Sequence, residues 1–362
     1  METGKEIAVF LMLLRAGLWR KPIENLDYFP LNQTTWERLY QYGVQQTVEG
    51  ILFEGVQQLD PSLQPSKSLL LKWLVRTEKI RQRNRWMNTR LVEQAQFYRN
   101  CGLDPTLLKG QGLAQSYVDP TLRMSGDIDW YFDQPQAFAR ANAEVRQFGL
   151  PLIEAGKISS NYHWQGCHVD QHAQLFDLHN PFVKSYLKEL EEHFDDGSTL
   201  LIGKTEINVL SPLLQTIQVN AHILKHLLSF GIGLRQICDA ACLYAYYSTA
   251  LDGQLLKEVY QRLGIIRWVA VLHQLLVDFI GLPEQSLPFH LEKEQDATWM
   301  MQDIWTGGNF GFYDTAYVKS KEGQFVGRRL KIIRLWKSFW RYLPYAPLEA
   351  ISFPIVHYRS GR

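Results

Sequence analysis

No run of uncharged apolar residues in the chain approaches the roughly 18 that a transmembrane helix needs. The apolar stretch nearest the start, residues 8–14, follows the acidic Glu2 and Glu6. It ends at Arg15 without a small-residue cleavage site, so it reads as an ordinary helix. A cytoplasmic protein is the expectation. Cysteine is scarce. Cys101, Cys167, Cys238 and Cys242 form neither the CxxC pairs of a zinc site nor the density of a secreted disulfide scaffold, and reduced, mostly buried thiols are expected. An excess of one charge is missing too. The 38 Lys and Arg stand against 37 Asp and Glu, and a net charge of +1 gives no global field to hold a polyanion. That balance disfavours a dedicated nucleic-acid binder. There is no internal repeat and no low-complexity tract.

What is present is hydrophobic content, at 46% of 362 residues, enough for one large or two ordinary domains. The first hundred residues read as helical. Thr34 or Thr35 is placed to cap a segment carrying Trp36, Leu39, Tyr40 and Val44. A longer helix over 66–100 repeats Trp73, Ile80, Met87 and Leu91 on one face and Lys72, Arg76, Lys79 and Arg83 on another. The period then changes to that of short strands, at 106–108, 127–132, 162–169, 174–179 and 206–210, with a helix over 135–148. Ser211-Pro212 opens a second helical stretch that continues to about 281. The fold class expected is α+β, a small mixed sheet with helices flanking it. The expected divisions are a helical region over 1–100, a core over 101–210, a helical domain over 211–325, and a basic aromatic helix and tail over 326–362.

The most informative segment is Ser125-Gly126-Asp127-Ile128-Asp129-Trp130-Tyr131-Phe132. Side chains alternate along a strand, so Asp127 and Asp129 face one side and Ile128 and Trp130 the other. Two carboxylates aimed at one point repel unless a cation joins them. Hard oxygen ligands favour Mg²⁺ or Mn²⁺, which in turn bind phosphate oxygens. A third carboxylate is expected on a neighbouring strand. Asp177, in Leu175-Phe176-Asp177-Leu178-His179, supplies it with His179 on the same face, and Asp170 is the runner-up. A two-metal scheme then makes Asp177 a possible base for in-line attack on a nucleoside triphosphate, releasing pyrophosphate.

Upstream, Leu107-Leu108-Lys109-Gly110-Gln111-Gly112 reads as a strand, a glycine turn and the start of a helix. Backbone amides at such a turn bind phosphate, with Lys109 as an added point charge. Arg123, Ser125 and Gly126 complete the expected nucleotide-binding set, Arg123 serving either as a phosphate fork or as a structural pair.

Taken together, the run LLKGQGLAQSYVDPTLRMSGDIDWYF, followed by FDLHN, resembles an uncharacterised bacterial family of the DNA polymerase beta-type nucleotidyltransferase superfamily. The resemblance extends to His222, His226, Leu234-Arg235 and Asp239, and spans about residues 88–243. It implies a nucleotidyltransferase that moves a nucleoside monophosphate from a triphosphate to a hydroxyl or phosphate acceptor: a small molecule, a sugar phosphate or a protein side chain. It also implies an acceptor pocket shaped by His179, His222, His226, Arg235 and Asp239. Gln111 departs from the pattern, because the superfamily usually places serine or glycine there. A metal-dependent glycosyltransferase could use the same Asp-x-Asp but needs a nucleotide-binding βαβ region ahead of it, where this chain is helical. A non-catalytic nucleotide-binding or scaffold protein of the same fold is the other alternative.

Three further features have plainer readings. His222 and His226 have metal-ligand spacing but no Glu or Cys nearby to complete a zinc set. Arg235 and Asp239, four apart, suit an intrahelical ion pair. The helix over 328–343 carries Arg328, Arg329, Lys331, Arg334, Lys337 and Arg341 without an acid, and an apolar stripe of Ile332, Trp336, Phe339 and Leu343. The favoured reading packs that stripe inward and solvates the cations, with peripheral contact to anionic lipid or to a nucleic-acid backbone as the alternatives. Pro344, Pro347 and Pro354 mark an irregular tail.

Overall fold

The computed structural model describes residues 2–23, 25–194, 196–290, 293–313 and 328–359. Four helices come first: α1 (Glu2–Trp19), α2 (Gln33–Gln45), α3 (Glu49–Gln57) and α4 (Lys67–Asn100). The cap of α2 is Asn32 rather than Thr34 or Thr35. Its extended backbone brings the side-chain oxygen to the Thr35 amide at 2.8 Å, and the helix starts at Gln33. Helices α1 and α3 touch backbone to backbone. A Cβ on Gly17 would lie 1.9 Å from the Ile51 carbonyl oxygen, and one on Gly55 1.9 Å from that of Leu13, so only glycine permits the crossing.

The sheet follows: β1 (Thr106–Leu108), the short α5 (Gly110–Ala114), β2 (Asp127–Tyr131), α6 (Pro135–Gln147), β3 (Ile153–Glu154), β4 (Ser159–Trp164) and β5 (Cys167–His172). Strand order is β1-β2-β5-β4-β3, with β2 and β5 parallel and the other neighbours antiparallel. The single strand expected over 162–169 is thus a hairpin. Gln165 and Gly166, both at positive φ, make its two-residue turn, and Gln at the first position hides the usual Asn-Gly or Asp-Gly signal. No strand forms over 174–179, which runs irregularly into α7 (Lys184–Phe194). The strand expected over 206–210 is β7 (Thr205–Asn208), paired with β6 (Thr199–Ile202) in a separate ribbon.

One face of the five-stranded sheet packs on α4 and α6. Ile128 and Trp130 meet Met87, Leu91 and Tyr98 of α4 and Phe138 and Val145 of α6, and the Trp130 indole donates to Gln94 Oε1 at 2.7 Å. Tyr131, on the opposite face, joins the larger core shared with the helical half. That half comprises α8 (Pro212–Leu228), α9 (Leu234–Tyr246), α10 (Gly253–Leu263), α11 (Ile266–Asp278), α12 (Thr298–Gly307), α13 (Arg328–Tyr342) and α14 (Pro347–Arg359). Ser211 caps α8, its hydroxyl accepting from the Leu214 amide, with Pro212 in the first turn as expected. Of the prolines of the expected tail, Pro347 opens α14 and Pro354 lies inside it, while Pro344 stands in the turn before it. Overall the fold is α+β with helical flanks. Among the described residues no helix is long and apolar enough to cross a membrane.

The basic aromatic helix departs in part from expectation. Phe339 and Leu343 of the apolar stripe pack on the core as expected, but Ile332 and Trp336 are more than half exposed and Arg334 is buried. The side chains of Arg328, Arg329 and Lys331 lie outside the described residues.

Candidate active site

Parallel pairing sets β2 and β5 side by side with Asp127 opposite His168 and Asp129 opposite Asp170. Residues in register on neighbouring strands share a face, so Asp127, Asp129 and Asp170 project to the side away from Trp130 and line one cavity of about 270 Å³. The neighbouring-strand carboxylate is therefore Asp170, not Asp177. The alternation of β5 carried the signal: Cys167, Val169 and Gln171 are buried, while His168, Asp170 and His172 alternate with them. With the hairpin turn unrecognised, the strand was expected to stop at residue 169.

Electrostatics separate the three carboxyls. Asp127 is pushed above the usual carboxylate range by burial and by the charges of Asp129 and Asp170. Burial would also raise Asp129, but Lys109 and His172 outweigh it and hold this carboxyl below the usual range. Lys109 Nζ stands 3.7 Å from Asp129 Oδ1, and His172 Nε2 stands 2.8 Å from the same oxygen. Asp170, raised by burial and by Asp129, has His168 Nε2 at 3.3 Å.

Lys109 occupies a turn conformation that favours glycine, with φ of 48° and ψ of −139°, just before Gly110 at φ of 38°. Such a conformation costs a side-chain-bearing residue on the order of 1–3 kcal/mol, and held strain of this kind clusters at functional sites. The turn brings the Lys109 ammonium to the carboxylates, and Lys109 and Gly110 both line the cavity. The other two residues of the expected phosphate loop face elsewhere. Gln111 is buried and donates to Asn84 O and Asn88 Oδ1 on α4, while Gly112 packs against Leu107 and Val209. Since α5 has only five residues, its dipole is small and the cation dominates the turn's contribution.

Arg123 is not a free phosphate fork. Its guanidinium grips Asp239 in a buried two-point pair at 2.6 and 2.8 Å and donates to Ser125 Oγ at 2.9 Å. Tyr117 donates to the same Asp239 carboxylate at 2.6 Å. The pair expected within one helix, Arg235 with Asp239, is replaced by this tertiary one. Arg235 donates to the Met124 carbonyl at 2.6 Å and lines the cavity, and among the described residues no carboxylate is ion-paired with it. Gly126 is exposed, and its carbonyl accepts from Arg83 of α4 at 3.0 Å.

Asp177 sits behind two residues that line the cavity, Lys225 and His222. Lys225 Nζ and His222 Nδ1 contact its two oxygens at 2.8 and 2.9 Å. Burial would raise its pKa, but Lys225 and His222 take it well below the usual range. His222 and His226, one turn apart on α8, both line the cavity with ring centroids 4.4 Å apart. Burial and nearby Lys109 push His222 down to about 4 against the pull of Asp177, so it is neutral near pH 7. His179 is turned away: its amide donates to the Glu349 carboxylate and its ring packs on Phe353 of α14.

Among the described residues, no three His, Cys, Asp or Glu side chains are gathered tightly enough to enclose an ion. The donor chemistry nevertheless fits a hard divalent cation, since two adjacent strands offer three oxygen donors whose mutual repulsion such a cation relieves. The sequence model of a family described as uncharacterised nucleotidyltransferase matches residues 32–281. Neither a search of curated proteins nor one of solved structures returns a match.

Proposed function

Because the chain belongs to this family of uncharacterised nucleotidyltransferases, we propose that it moves a nucleoside monophosphate from a nucleoside triphosphate to a hydroxyl or phosphate acceptor, in the manner of the polymerase-beta-type superfamily. One observation carries the reading: Asp127, Asp129 and Asp170 stand on two parallel strands above a cavity into which a strained turn drives Lys109. Asp127, Asp129 and Asp170 would hold Mg²⁺ or Mn²⁺. Such a cation supplies charge neutralisation and Lewis-acid polarisation of phosphate oxygens. Lys109 and Arg235 bind the phosphates, Arg235 with a charge that no carboxylate pair offsets among the described residues. The Arg123–Asp239 pair fixes the wall beneath them. Asp170 takes the acceptor's proton in place of Asp177, which positions Lys225 and His222.

A second reading, a non-catalytic nucleotide binder, draws on the engagement of Asp129 by both Lys109 and His172. A panel of labelled triphosphates with Mg²⁺ or Mn²⁺ separates the two. Label transfer to an acceptor in lysate, with pyrophosphate released, supports the transferase. Saturable binding without release supports the binder, and no binding of any triphosphate overturns both.

A further inference from the structure

The α13–α14 hairpin carries apolar side chains on both sides. Inward, Phe339, Tyr342 and Phe353 pack on the core, and polar anchors lie beside them. Arg334, 4% exposed, sits against Gly231, where an added Cβ would meet its guanidinium at 2.7 Å. Ser338 is buried beside it in the helix, and buried Glu349 of α14 accepts from the amides of His179 and Asn180. Apolar bulk points the other way. Ile332, Ile333, Trp336 and Trp340 are each more than half exposed, Trp336 at 60%. Their spacing of one, four and eight from the first places them on one face of the helix. On α14, Leu348, Ile351 and Ile355 repeat the pattern at three and seven, with Val356 beside them. Large exposed aliphatic and indole side chains in such alignment mark a surface that another phase or molecule covers.

We propose that this face docks on a bilayer surface bearing anionic lipid. Charge selects the occupant. Residues 328–343 hold six cations and no acid in sequence; Arg334 is turned inward and Arg341 pairs with Asp303, while Lys337 is exposed between the two tryptophans. A second copy of the chain would set cation against cation, and a nucleic-acid backbone offers nothing to Ile332, Ile351 or Ile355. A lipid interface satisfies both parts, with acyl chains taking the aliphatics, the headgroup boundary taking the indoles, and acidic headgroups facing the lysine.

The test is co-sedimentation of the full chain with vesicles of phosphatidylcholine alone or mixed with phosphatidylglycerol, followed also by tryptophan fluorescence. Binding to the mixed vesicles is expected, with a blue shift, little binding to phosphatidylcholine alone, and release by salt. Trp336→Ser with Trp340→Ser should weaken binding by at least about tenfold. Lys337→Glu, which keeps the apolar face and so decides the matter if the double variant does not fold, should weaken it by about tenfold. Failure to sediment with either vesicle overturns the proposal, as does equal sedimentation with both. A solution dimer dissolved by the serine substitutions assigns the face to a second copy and overturns it as well.

Discussion

Removing the Asp239 carboxylate probes the cavity wall more sharply than any other single change. Arg123 and Asp239 keep only 5% and 4% of their side chains exposed, so Asp239→Ala strands a guanidinium that water does not reach. Breaking a buried pair from one side costs roughly 3–5 kcal/mol. The Tyr117 hydroxyl loses its 2.6 Å acceptor at the same time, adding about 1 kcal/mol. Arg123→Ala should cost less, because Asp239 then has Arg235 one turn away on α9 to face. Arg123→Met combined with Asp239→Leu removes both charges and should recover all but about 1–2 kcal/mol, the remainder reflecting Tyr117 left with only the Arg235 carbonyl at 3.4 Å. Urea midpoints and thermal melting measure this. For a chain of this length Asp239→Ala should lower Tm by roughly 3–10 °C. A loss below about 1 kcal/mol for Asp239→Ala, or two single losses that simply add in the double variant, refutes the reasoning.

The two aspartates of differing surroundings should respond oppositely in metal-free protein. Asp127→Asn relieves repulsion from Asp129 and Asp170 and should leave Tm equal or higher, whereas Asp177→Asn loosens Lys225 and His222 and should lower stability by about 1–3 kcal/mol. A thermal scan in chelator showing the reverse order contradicts the charge assignment. Buried His273, bonded to Tyr244, is pushed down to about 3 by burial. Above about pH 6.5 it is neutral in both states and contributes nothing. Between about 6.5 and 3 the unfolded chain takes up a proton that the folded one refuses, so stability falls by up to about 5 kcal/mol as pH drops. Urea midpoints against pH should decline less steeply in His273→Gln, and parallel curves would count against the burial argument.

Local pattern made some of this legible before any coordinates. The alternation of Asp127-Ile128-Asp129-Trp130 placed two carboxylates on one face and two apolar side chains on the other, and the helix expected over 66–100 matches α4. What escaped depends on contacts between distant segments. Asp170 reaches Asp129 only because Gln165-Gly166 turns the chain, and glutamine is not a strong signal for that turn. Asp239 pairs with a residue 116 positions away rather than with Arg235 one helical turn away, a choice made by tertiary packing. Gln111, expected in a phosphate loop, is satisfied by α4. The α13 stripe is split: Phe339 and Leu343 pack on the core, but periodicity does not say how far round the helix the inward face extends, and Arg334, seated against Gly231, leaves Ile332 and Trp336 outside it.

The carboxylates of β2 and β5 are proposed to bind a metal–triphosphate complex. Calorimetric titration of ATP, GTP, CTP and UTP, with Mg²⁺ and with chelator, into the native chain and into Asp129→Asn reads that binding itself. Saturable Mg²⁺-dependent binding of at least one triphosphate is expected, weakened about tenfold or more by a substitution that removes a charge while preserving shape. Equal affinity in the two proteins, or binding by the native chain that is indifferent to Mg²⁺, would contradict it.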